Sequence, residues 1–73
     1  MQFAVEVEAD NANALDILVN ATERWFKSVG ATILESRRDD EDCVAAFVVQ
    51  SKKDLRWIAT GKDIPGKYTI EPL

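Results

Sequence analysis

The stretch ANALDILVNATERWFKSV, Ala12 to Val29, decides how this chain folds, because it is the long segment with an unambiguous helical period. At about 100° per residue, Ala14, Leu15, Leu18, Val19, Thr22, Trp25, Phe26 and Val29 share an arc of roughly 140°. Asp16, Asn20, Glu23, Arg24 and Lys27 lie opposite. An apolar arc this wide lies on a sheet rather than in a narrow coiled-coil seam. Asp10 or Asn11 supplies a side-chain acceptor for the free N–H groups of the first turn. Gly30 ends the helix, since it takes a left-handed backbone without a Cβ clash. Ile17 points to the polar side, as a lone exposed residue or as the edge of a partner contact.

Toward the N-terminus, Gln2 to Ala9 alternates: Phe3, Val5, Val7 and Ala9 face one way, Gln2, Ala4, Glu6 and Glu8 the other. That pattern is a half-buried strand. After the helix, Ala31 to Ser36 reads as a second strand and Arg37 to Asp42, RRDDED, as a polar turn. Cys43 to Gln50 reads as a third strand, apolar on both faces and therefore central, so the two runs form a hairpin with a charged tip. Ser51, with Asp54 three residues on, opens a short second helix through Leu55, Ile58 and Ala59 that Gly61 stops. Pro65-Gly66 is a turn, and Lys67 to Glu71 alternates as a fourth strand closed by Pro72.

The expected order is β-α-β-β-α-β over one domain, residues 1–73, with no internal linker. Across nearly the whole chain it resembles the ferredoxin-like α+β sandwich, a four-stranded antiparallel sheet with two helices on one face. Right-handed crossovers then put strands 1 and 3 in the middle. The resemblance is one of pattern. The CxxC of metallochaperones, the phosphate loop of acylphosphatases and the glycine-rich ligand turn of ACT-type sensors are absent, and fold alone does not carry function. The expected helix-facing layer is Phe3, Val5, Val7, Ile33, Ala45, Phe47, Val49, Tyr68 and Ile70.

Composition narrows the chemistry. The 73 residues hold no histidine, which removes His-based acid–base work, the usual triads and the commonest zinc sets. One cysteine, Cys43, allows no internal disulfide; at the head of an inner strand it reads as a buried small hydrophobe rather than a nucleophile. A net charge of −4 disfavours binding to a phosphate backbone. The opening MQFAVEVEAD has no basic region, and no run is apolar enough to span a membrane, so a cytoplasmic protein without membrane contact is expected. Asp39, Asp40, Glu41 and Asp42 could hold a hard cation, but they lack the spacing and glycine of a calcium loop and read as a solvated tip. Gly61-Lys62 lacks the spacing of a phosphate loop. No catalytic, cofactor or metal site is expected.

The sheet face away from the helices is expected to carry Ala4, Glu6, Glu8, Thr32, Leu34, Val44, Ala46, Val48, Lys67, Thr69 and Glu71. Its centre is apolar and its rim charged, as in an interaction surface; the plainer reading is that β-branched residues simply suit strands. RNA-binding sheets use this face with stacking aromatics, and here there are none. Trp57 reads either as core packing at the edge of the second helix or as an interface anchor.

The expectation is a small non-enzymatic protein-interaction module, an adaptor or inhibitor of the kind carried by phages and mobile elements. It would bind a protein partner or itself through Leu34, Val44, Ala46, Val48 and Trp57. One variant has Glu6, Glu8, Asp39, Asp40, Glu41 and Asp42 mimic nucleic acid. The alternative is an ACT-like regulatory domain holding a small metabolite at a dimer interface; an enzyme built on carboxylates, Lys and Arg is a third class.

Overall fold

A computed structural model of the chain describes residues 1–55 and 67–73. Its elements are β1 (Gln2–Glu8), α1 (Ala12–Ser28), β2 (Thr32–Asp39), β3 (Val44–Gln50) and β4 (Lys67–Pro72). The strands form one antiparallel sheet in the order β2-β3-β1-β4, and α1 lies across β1, β2 and β3. β1 and β3 are therefore central, as their apolar patterns require.

Local chemistry sets both ends of α1. The Asn11 side chain accepts from the Ala14 N–H at 2.8 Å, which makes Asn11 and not Asp10 the cap. At the other end Gly30 sits at φ 76°, its N–H donates to the Lys27 carbonyl, and the Ala31 N–H reaches back to the Phe26 carbonyl at 2.8 Å. This paired closure satisfies the last carbonyls and needs a residue without Cβ at position 30.

The buried face of α1, Leu15, Leu18, Thr22 and Phe26, meets Phe3, Val5, Val7, Ala45, Phe47 and Val49 from the sheet. Ile33, Tyr68 and Ile70 pack at its margins, so the whole expected helix-facing layer is on the core side. Phe26 stands edge-on to Phe47, ring centres 5.7 Å apart, a favoured aromatic geometry. Thr22 is the buried polar member of this layer. Its hydroxyl donates to the Leu18 carbonyl at 2.7 Å, so the short hydrogen bond between Thr22 and Tyr68 has the tyrosine as donor. That bond fastens edge strand β4 to the helix.

Three expectations change. The hairpin strands run further than read: β2 continues through Arg37 and Arg38 to Asp39, and the turn is only Asp40 to Cys43. Cys43 is the last turn residue, at φ 55° and half-buried, rather than a buried start of β3. The left-handed turn that reverses the chain takes the position. The second helix does not begin at Ser51. Residues 51–55 are irregular, with the buried Ser51 hydroxyl accepting from the Lys53 N–H at 3.1 Å in a local turn. The rest of that expectation, including Ile58, Ala59 and Gly61, lies outside the described residues, and α1 is the one helix among those described.

Candidate functional site: the open face of the sheet

The side chains on the uncovered face follow from strand register, and register in β2 turns on one residue. Ile33 pairs with Val49, yet the next ladder partner, Val48, faces Glu35; Leu34 is the extra residue of a β-bulge. Beyond it the alternation is reversed. Glu35, Arg37 and Asp39 stand opposite Val48, Ala46 and Val44 on the open face, while Ser36 and Arg38 stand opposite Phe47 and Ala45 on the helix side. The physical reason is visible in the pairing: without the bulge, Glu35 rather than Ser36 would sit beside buried Phe47, and a carboxylate there would lose its water.

The open face is thus built in rows. One runs Glu35, Val48, Ala4, Glu71; the next Arg37, Ala46, Glu6, Thr69; the third Asp39, Val44, Glu8, Lys67. Ala4 and Ala46 are diagonal neighbours on the two central strands. Their short side chains leave a trough of about 290 Å³, floored by these alanines and Val48 and walled by Glu6, Glu35, Arg37, Thr69 and Glu71. No described element covers it. The floor residues are half-buried, and the charged walls are exposed.

Two neighbouring arginines divide here. Arg38, on the helix side, bridges Asp16 of α1 and Asp40 of the turn, each at 2.5 Å. Its hydrogen bonds to Asp40 first and Asp16 second push its pKa up from an already high value. Arg37, one residue earlier, forms no ion pair among the described residues, and neither do Glu6, Glu35 or Glu71. Among the described residues, the ion pairs that hold the fold leave out the charges of the trough.

The acidic tip is organised differently. One Asp39 carboxylate oxygen accepts from the backbone N–H groups of Glu41 and Asp42, at 3.0 and 3.2 Å, and Asp40 holds Arg38. Those carboxylates shape the turn. Among the described residues no group of three or more His, Cys, Asp or Glu side chains is placed to hold a metal ion.

Of the expected partner-binding residues, Val44, Ala46 and Val48 lie together on the open face. Leu34 is 49% exposed in the bulge at the sheet edge, and Glu35 takes its place in the ladder. The expected apolar centre is therefore narrower and its rim more charged. Trp57 lies outside the described residues. Sequence reading missed Glu35, Arg37 and Asp39 as members of the face. No sequence signal marked them: Glu35 to Asp39 are all polar, so the run has no apolar period to tell one face from the other or a strand from a turn. No described helix is long and apolar enough to cross a membrane. No protein-family model, curated protein or solved structure matches the chain.

Proposed function

We propose that this chain is a small non-enzymatic protein-interaction module, an adaptor or inhibitor, that docks its partner on the open face of the sheet. One observation carries the reading. A trough floored by alanine and valine is rimmed by charged side chains that form no ion pair among the described residues, and an apolar centre inside a polar rim is the anatomy of a contact surface. The antiparallel order β2-β3-β1-β4 supports a ferredoxin-like domain, in which the face away from the helices is free for binding.

A photo-cross-linking residue in place of Val48, in cells that naturally make the protein, tests this. Cross-linking to a discrete protein from position 48, but not from Asn20 on the outer face of α1, is the expected result. No adduct, or equal adducts from both positions, overturns it.

A second reading has one specific support. Arg37 and Glu6 face each other across Ala46, two strand spacings or ~10 Å apart, and could take the carboxylate and ammonium of an amino-acid-like metabolite in an ACT-like dimer. Stabilisation by such a compound would favour it: at 100 times its dissociation constant a ligand adds ~2.7 kcal/mol.

A further inference from the structure

We propose that the partner segment seated on the open face is basic and amphipathic: an apolar side chain over Ala4 and Ala46, with lysine or arginine against Glu6, Glu35 and Glu71. This rests on the reading of that face as a docking surface and names the chemistry of its occupant.

Charge makes the selection. Around the trough stand three carboxylates and one guanidinium, Arg37, none of them paired within the described fold. The adjoining row adds Asp39 and Glu8 against Lys67. A second copy of the chain meeting this face across a two-fold axis would bring the same net-negative surface onto itself, and like charges brought together at an interface are repulsive. Nucleic acid is repelled for the same reason. Size argues against a lone metabolite. Small-ligand sites enclose roughly 300–1,000 Å³ and bury most of the ligand. This trough, at about 290 Å³, lies at the lower limit on a sheet face that no described element covers.

An inserted side chain needs no enclosure, because the rest of its own chain covers the trough. The floor also suits a projecting residue, since the two alanines leave room that a larger pair would fill. At the hairpin tip, Asp40 is already paired with Arg38, and Glu41 and Asp42 do not line the trough.

The test uses the full chain, isotope-labelled, titrated with a synthetic amphipathic peptide of leucine and lysine. Two controls accompany it: the same peptide with glutamate for lysine, and one with serine for leucine. Saturable shifts at Ala4, Glu6, Ala46 and Val48 are expected with the leucine–lysine peptide alone, weakening in about 0.5 M salt, where charge attraction is screened. The pair Glu35→Lys and Glu71→Lys should weaken binding about tenfold or more. Glu41→Lys with Asp42→Lys changes net charge equally, at the tip, and should leave affinity unchanged.

Equal loss in both double variants, equal binding of the serine peptide, or shifts centred on the tip would overturn the proposal. So would contacts from residues 56–66 onto Ala46 in the free protein. If the peptide leaves the face untouched while the cross-linker at position 48 still captures a protein, the docking surface stands and the basic partner falls. If neither binds, both fall.

Discussion

The two faces of this sheet are built by the same four strands and obey different rules. On the covered side, Phe3, Val5, Val7, Phe47 and Val49 are at most 3% exposed and interlock with α1. On the open side, β3 carries Val44, Ala46 and Val48, and β1 carries Ala4 with the exposed Glu6 and Glu8. One face is optimised for filling space. The other keeps an open trough, rimmed by charges that form no ion pair among the described residues.

Adjacent residues of β3 give the sharpest break between the faces. Phe47→Ala removes a buried ring and its edge-on contact with Phe26, and should cost about 3–5 kcal/mol, enough to unfold much of so small a chain. Val48→Ala, one residue on and facing the other way, should cost about 1 kcal/mol or less. Chemical denaturation of both variants checks the contrast; equal losses would mean that the open face is packed after all.

The bond between Thr22 and Tyr68 comes next. Thr22→Val should lower stability by about 0.5–1.5 kcal/mol, because the tyrosine hydroxyl loses its acceptor. The same residue sets an alkaline response. Burial pushes the Tyr68 pKa up, so the native state holds its proton more tightly than the unfolded chain does. Its contribution is complete below the ordinary tyrosine value of about 10 and is lost as pH rises through the higher native value. Unfolding measured across that range should show a decline for the wild type that Tyr68→Phe flattens.

The bulge offers a subtler test. Deleting Leu34 leaves Ile33 opposite Val49 and Glu35 opposite Val48, a regular ladder with the same faces. The deletion should be tolerated, with the amide shifts of Arg37 and Arg38 little changed. Deleting Ser36 instead reverses the faces of the residues beyond it and should be far more damaging. The smallest effect belongs to Arg38. Its pairs with Asp16 and Asp40 are exposed and therefore weak, so Asp16→Asn should lower Tm slightly in dilute buffer and not at high salt.

Much of the fold is legible in sequence because its signals are local. The apolar arc of Ala12 to Val29, the cap at Asn11 and the stop at Gly30 depend on neighbours within a few residues, and the core list follows from simple alternation. The site was only half legible. Ala46 and Val48 belong to a strand with an unbroken period and were placed correctly on the open side. Arg37 resembled part of a turn because RRDDED is charged throughout, and charge alone does not distinguish a turn from an exposed edge strand.

By itself, then, the sequence determined the amphipathic helix, four strands and the residues that fill the core, since periodicity and burial are properties of short segments. Tertiary structure decided which way the outer half of β2 faces. That choice depends on β3, where Ser36 and not Glu35 can sit beside Phe47, and one extra residue at Leu34 resolves it. The bulge directs Arg38 toward Asp16 on the helix side, and leaves Arg37 and Glu35 on the open face beside the trough.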